Sequence, residues 1–405
     1  MQSDYPKLLY VGDVPVERTL YGAAQLYRLL SLYPPGDLLI VEANSSRSKP
    51  QRRLPVVRYG TFPLGKTRIL TSRFHTLYGS WVLSRIRSRW SEIERVIRPF
   101  VPDAVLTVTH GYSWLVAAEY ALRKHLPLHL ILHDDWPAHG LVLPGLRNIA
   151  HRLLQEFYQH ANSRLCISPL MAEIYQREFS SPATVLFPCA EPDASAYESA
   201  PQRLSINRPG LVVGYGGTLN SRGQLRALLA VAEALAQVRG KLVIYGPNNR
   251  QHWAALSLDR PSIELKGLIT SEAMIGAFRE TVNVLVVPLS FDQRDRRQNL
   301  LSFPSKLADY TAAGLPLLII APAESGVARW AVSEGGFAEI VTEPDTASIS
   351  AALNRLAASP EHRLRLATRA LQIHQEFFTP ANAWTTFCKA LEPDRELIAP
   401  PRSLY

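Results

Sequence analysis

The sequence predicts an α/β protein made of two doubly wound domains that face a central cleft. Three observations lead there. Short apolar runs alternate with helix-period segments, the alternation halts in one polar, Pro-rich stretch, and it then starts again. In the first half, LLYVG (8–12) ends in glycine and leads into helical spacing from Leu20 to Leu32. DLLIV, AVLTVTH, LHLILHD and RLCIS repeat the strand pattern, each followed by a helical stretch. Strands apolar on both faces belong to parallel sheets covered by helices. The break is EPDASAYESAPQRLSINRPG, where no periodicity supports an element. LVVGYGG reopens the alternation, followed by the amphipathic LRALLAVAEALAQV and then KLVIYGP, SIELKG, VNVLVVP, LPLLIIA and FAEIV. The expected organisation is a first domain over 1–190, a linker over 191–209 and a second domain over 210–378. A C-terminal helix and tail over 379–405 are expected to pack back toward the first domain.

Composition narrows the class. A chain of 405 residues, 47% apolar and 20% charged, suits two globular domains rather than a disordered polymer. No apolar run approaches the ~20 residues of a membrane span, and the start lacks a basic, then apolar, secretion pattern. Cys166, Cys189 and Cys388 are too far apart for a metal cluster or a disulfide framework. A cytoplasmic protein is expected. The net charge of +9 is concentrated: 13 Arg and Lys against two acids lie between Arg47 and Arg98, so that segment carries +11. Such a patch attracts phosphates or an anionic membrane surface, or is simply a solvated basic face. No zinc finger or RNP-type aromatic motif accompanies it, so no nucleic-acid partner is expected.

The richest segment is SFPSKLADYTAAGLPLLII (302–320). Pro304 suits a first helical turn, and the amides of Ser305 and Lys306 with the Lys306 ammonium would form an anion site. Asp309 lies within a turn of Lys306 and can accept hydrogen bonds from a ribose diol. Gly314–Leu315–Pro316 ends the helix before a buried strand. Any helix–strand unit has such a terminus, so the neighbouring motifs decide.

This segment resembles the donor signature of retaining GT-B-fold glycosyltransferases of the family-4 type, in which two Rossmann-like domains flank a cleft. The resemblance implies that Asp309 holds the nucleotide ribose. An acid eight positions earlier usually meets the donor sugar, but Leu301 stands there, and Asn299 is the nearby polar candidate. In GYGGTLNSRG (214–223), Gly216, Gly217 and Thr218 would approach a diphosphate. Arg222 matches the second of two basic residues typical of that loop, whereas Gly216 replaces the first. Gly246, Leu268 and Ile269 fall where similar enzymes recognise the base through backbone groups. Arg294, Arg296 and Arg297 precede the signature helix, beside Asp292 and Asp295 that could simply pair with them.

In the first half, LHLILHDDWP (128–137) delivers His133, Asp134, Asp135 and Trp136 at a strand's C-terminal end, where open α/β sheets bind ligands. It is similar to the acceptor-side His-Asp segment of the same class. There His133 would hydrogen-bond the transferred sugar, and Asp134 or Asp135 would orient an acceptor hydroxyl. His110 is a second candidate at a strand end, and Gly12 and Gly22 match the glycine turn lining the acceptor pocket. An ordinary loop cap explains the His-Asp pair too. No metal is expected, and no G-x-S-x-G, Walker loop or HExxH appears.

The resemblance implies transfer of a hexose, with retention, from a nucleoside-diphosphate sugar to an acceptor hydroxyl. The acceptor would be a glycan, a lipid-linked sugar or a small molecule, as in surface polysaccharide or glycolipid synthesis. Two rivals stay open. One is a nucleotide-sugar 2-epimerase of the same fold, and the other is a catalytically silent sugar-nucleotide-binding partner in a glycosylation complex. Peripheral membrane attachment would come from Tyr78, Val82, Ile86, Trp90, Ile93 and Ile97 at helical spacing, widened by Trp81 and Leu83 and flanked by arginines. The same stripe could equally pack on the sheet.

Overall fold

A computed structural model describes residues 5–18, 21–44, 46–65, 69, 72, 74–139, 142–192, 197–206, 210–217, 221–246, 258 and 260–392. The first sheet takes its strands from Leu8–Gly12 (β1), Leu38–Ala43 (β2), Arg58–Phe62 (β3), Ala104–Val108 (β4), Leu128–Leu132 (β5), Ser163–Cys166 (β6) and Thr184–Val185 (β7). They run parallel in the order β3-β2-β1-β4-β5-β6-β7. Every residue of β1, β2, β4 and β5 is buried, as strands covered on both faces require. Helices Tyr21–Leu30 (α1), His75–Arg85 (α2), Trp90–Ile97 (α3), Ser113–Lys124 (α4), Arg147–His160 (α5) and Pro169–Phe179 (α6) accompany them.

The second sheet contains Val212–Gly216 (β8), Lys241–Tyr245 (β9), Ile263–Gly267 (β10), Val284–Pro288 (β11), Leu317–Ile320 (β12) and Ala338–Val341 (β13). Its parallel order is β10-β9-β8-β11-β12-β13. Helices Arg222–Gln237 (α7), Ser271–Thr281 (α8), Arg296–Leu301 (α9), Lys306–Ala312 (α10), Gly326–Glu334 (α11), Thr346–Ala358 (α12), Pro360–Ile373 (α13) and Pro380–Leu391 (α14) complete the described α-helices. The expected fold class, two doubly wound α/β sheets, is the one observed. The strand order reverses between β1 and β4 and again between β8 and β11. Ligand crevices open at such switch points.

Local chemistry sets the ends of elements. Ser168 accepts the Met171 N–H and Pro169 starts α6, while Ser359 and Pro360 do the same for α13. Strand β3 escaped the sequence reading because it is a half-exposed edge with Gly60 at its centre. The basic stripe also differs from a single amphipathic helix. A 3-10 turn at Ile86–Arg89 separates α2 from α3, and Val82, Leu83, Ile86, Ile93 and Ile97 are buried. That stripe is core. What α2 leaves exposed is Leu77 and Trp81, with Phe74 just before it.

The two halves share an aromatic cluster. A π-helical turn, His374–Phe378, joins α13 to α14 and sets Phe377 and Phe378 beside Phe187, Phe303 and Trp330. Ring centroids of the contacting pairs there lie 5.2–6.3 Å apart. Beyond the turn, α14 returns to the first sheet's side: Trp384 lies 5.7 Å from Tyr5 and Phe387 6.4 Å from Tyr33.

Candidate functional site

The donor-side candidates meet at the end of β8. Gly217 has φ of +122°, and a Cβ there would come within 2.8 Å of Lys306 Cε and 3.0 Å of Nζ. The missing side chain is therefore what admits the ammonium to the loop. Lys306 Nζ also sits 5.3 Å from the centroid of the Tyr215 ring. Burial pushes its pKa down to about 8, against the pull of Asp309. Tyr310 pins α10 to the same strand end, its hydroxyl accepting the Gly216 N–H at 2.8 Å. A Cβ on Gly216 would meet Met274 Sδ at 2.2 Å, so that glycine serves close packing against α8.

The other donor candidates scatter. Helix α10 begins at Lys306 with Ser305 as its N-cap residue, which makes no side-chain cap bond. Gly246 is buried and donates its N–H to Gly267 O at 3.0 Å. Leu268 is largely exposed and Ile269 half-buried. Arg222 is exposed at the first position of α7, and Thr218 lies outside the described residues. Asn299 is buried with its amide donating to Ser290 O at 2.6 Å, a bond that occupies the group expected to meet the sugar. Leu301 is buried too, and its carbonyl accepts the Ser168 hydroxyl at 3.2 Å across the domains.

On the opposite side, β1, β4 and β5 end together. Asp13 follows β1, and its carboxylate accepts the Tyr112 and Ser113 N–H groups at 2.7 and 2.6 Å, capping α4 from a distance. Gly111 (φ +62°) makes this possible, because a Cβ there would fall 2.4 Å from Asp13 Cγ. Burial raises the Asp13 pKa, opposed by the Ser113 amide and the nearby His110. His110 is exposed at the rim. His133 borders a narrow pocket between α1 and the ends of β5–β7, walled by Leu26, Leu29, Ile131 and Phe187. Burial lowers its pKa to about 4, with Asp134 pulling the other way, so its ring is neutral at pH 7. A Cβ on Gly22 would touch His133 Nδ1 at 3.6 Å, ordinary contact, so glycine is not sterically required there. Gly12 is required: a Cβ would meet the Tyr10 hydroxyl at 2.3 Å.

Two neighbours of His133 are committed elsewhere. Asp135 is 4% exposed, accepting from the Tyr175 hydroxyl at 3.0 Å and from Arg297 Nε at 2.6 Å. Arg297 also holds Glu178 with both terminal nitrogens, so it ties β5 and α6 to α9. Trp136 donates to Gly111 O at 2.6 Å and packs its ring 4.9 Å from Trp114, inside the first core. Asp134 stays half-buried at the strand end.

Sequence reading missed the contact that crosses the cleft. Arg28 on α1 is buried and reaches Asp309 on α10, with Nη1 3.1 Å from Oδ1 and Nη2 3.3 Å from Oδ2. It also holds Glu191 at 3.1 Å and Cys189 O at 2.8 Å. Nothing in the local sequence marks it, because Arg28 sits in an amphipathic helix where a basic residue is unremarkable. Among the described residues no group of three or more His, Cys, Asp or Glu side chains is arranged to hold a metal ion. Among them, too, no helix is long and apolar enough to cross a membrane.

Comparison with known proteins agrees with this architecture. Residues 44–191 match the model of Glycosyltransferase Family 4, which lies in the half opposite the donor signature. No curated protein sequence matches the chain significantly. Sucrose-phosphate synthase from Thermosynechococcus elongatus is similar in structure, with TM-score 0.66 at 15% identity over 94% of this chain and 97% of that one. Anabaena Alr3699/HepE, solved in complex with UDP and glucose, gives 0.64 at 14% identity over 96% and 99%. An α,α-trehalose-phosphate synthase (UDP-forming) from Burkholderia xenovorans, in complex with glucose-6-phosphate, gives 0.65 at 14% over 95% and 99%. The chain thus has the GT-B fold of these synthases over nearly its whole length, and its residues 44–191 match the family-4 glycosyltransferase model.

Proposed function

We propose that the chain transfers a hexose, with retention of configuration, from a nucleoside-diphosphate sugar to an acceptor hydroxyl. The observation that carries this reading is the Lys306 ammonium seated against Gly217 at the end of β8, beside the switch point. A diphosphate in that crevice gains a fixed cation as its leaving-group charge develops. Asp309, on the same helix, would receive the ribose diol. His133, neutral at pH 7, both accepts and donates hydrogen bonds and would position the transferred sugar from across the cleft. Without a protein nucleophile, the departing phosphate would take the acceptor proton on the face it leaves.

UDP-glucose is the donor to try first, since one similar structure holds UDP and glucose, and glucose-6-phosphate, held by another, is the first acceptor. Purified protein is incubated with donor, with and without acceptors, and products are followed by NMR of the anomeric proton. Acceptor-dependent UDP release with an α-linked product supports the proposal. Turnover of donor alone to a 2-epimer would favour the epimerase, and binding without turnover the silent partner.

Membrane attachment belongs to this reading in a changed form. The arginines beside that stripe partly serve the fold: Arg87 pairs with Glu156, and Arg89 with Glu92. Phe74, Leu77 and Trp81 remain as an exposed apolar face, with Arg85 stacked 5.3 Å over Trp81. Sedimentation with anionic vesicles at low salt, compared with Trp81→Ser, tests that face. A lipid-independent protein would point to a soluble acceptor.

A further inference from the structure

Building on the donor site proposed above, we infer that Arg28 is a positioning residue for nucleotide binding: its guanidinium holds the Asp309 carboxylate in the orientation that receives the ribose diol. Three observations support it. Arg28 approaches both oxygens of Asp309 at once, at 3.1 and 3.3 Å, as a planar fork meets a carboxylate. Asp309 Oδ1 makes no hydrogen bond of good geometry although Arg28 Nη1 lies 3.1 Å away, so the carboxylate keeps an unmet acceptor beside the guanidinium. The fork itself is anchored by Glu191 and the Cys189 carbonyl, both in the segment that leaves the first domain.

The placement of α1 gives the contact its meaning. Gly22, Gln25 and Arg28 recur every three residues along one side of that helix. Gly22 lies against His133, Gln25 accepts the Cys189 N–H at 3.0 Å, and Arg28 holds Asp309. A single helix thus touches the sugar-side histidine, the crossover segment and the ribose-side carboxylate. Ribose binding is thereby made dependent on the two domains standing in this relation, because Asp309 is steered by a side chain from the other half.

The test measures ribose recognition itself. Calorimetry gives the affinity of UDP and of GDP for the full chain, then of the 2′,3′-dideoxy form of whichever binds. Wild type, Arg28→Gln, Arg28→Lys and Glu191→Gln are compared. Arg28→Lys keeps a cation between two buried carboxylates and so guards against a glutamine variant that does not fold. Wild type is expected to favour the ribonucleotide by about tenfold or more, the worth of hydrogen bonds to a charged group. Both Arg28 variants are expected to lose most of that preference, and Glu191→Gln, which loosens the anchor of the guanidinium, to lose a smaller part of it. If the Arg28 variants weaken both nucleotides by one common factor, the preference survives and Arg28 is only structural. If wild type shows no preference, the ribose assignment of Asp309 itself is wrong and the inference falls with it. If neither nucleotide binds, the donor site falls first.

Discussion

Lys306 makes nucleotide affinity a function of pH. Its amine titrates at about 8 rather than near 10.5, because burial disfavours the charged form more than Asp309 restores it. In the free protein the ammonium is then about nine-tenths protonated at pH 7 and about one-tenth at pH 9. A bound diphosphate favours the charged form, so binding at pH 9 must first return a proton to the amine. Affinity for UDP is therefore expected to fall by about tenfold from pH 7 to pH 9, roughly 1.4 kcal/mol. Below pH 7 this contribution is fully present. The control is Lys306→Arg, whose guanidinium stays charged throughout. Any titration of the ligand is common to both proteins and cancels in their ratio. Calorimetry in buffers of different ionisation enthalpy should also register proton uptake on binding near pH 8, absent in Lys306→Arg. An affinity that is flat with pH in wild type, or one that falls equally in the arginine variant, would refute the assignment of Lys306 to the diphosphate.

Further outcomes follow from single contacts. Gly217→Ala would put a methyl 2.8 Å from Lys306 Cε at a positive φ, and is expected to cost UDP affinity more than it costs thermal stability. His133→Ala should lower transfer by at least about a hundredfold while UDP affinity changes by less than about twofold, because the ring comes from the other half. Equal losses in both would mark that histidine as structural. His129 titrates at about 4 instead of 6.5, so the unfolded chain takes up a proton that the folded chain refuses. Stability should thus decline as pH falls from about 6.5 to about 4, by roughly 3 kcal/mol in total, and His129→Asn should flatten that slope in denaturant melts. Leu301→Glu is expected to destabilise the fold rather than supply a sugar ligand, by roughly 3 kcal/mol or more, since the side chain is buried.

The strands that were easiest to read were those buried on both faces. β1, β4, β5, β8, β11 and β12 are predominantly apolar runs, and recognising them needs no tertiary information. β3 and β7 were not legible: one is an edge strand broken by glycine, and the other has two residues. Donor-side candidates were partly legible for a similar reason. Lys306 and Asp309 sit one turn apart, so their proximity is local and the sequence spells it out. The Gly217–Lys306 contact joins the end of β8 to α10 across β9, β10 and β11, and could be expected only from resemblance. Arg28 and Asp309 are 281 positions apart, and Asp135 and Arg297 are 162 apart. Pairs of that kind have no periodicity to betray them.

Asp135 shows why chemical character alone misassigns a residue. An Asp-Asp pair at a strand end looks like acceptor machinery whichever member is chosen. The two differ only in what lies opposite. Asp135 faces Tyr175 and Arg297, which consume its lone pairs and hold it 96% out of solvent, whereas Asp134 stays half-buried beside His133. A buried carboxylate without such partners would be costly, so the bonds are the condition for its burial. The same reasoning separates Asn299, whose amide is spent on Ser290, from Asp309, which keeps an acceptor oxygen without a well-aligned donor. Within the cleft, the groups best suited to meet a ligand are therefore those whose hydrogen bonding is incomplete, and their neighbours serve to hold the two halves in register.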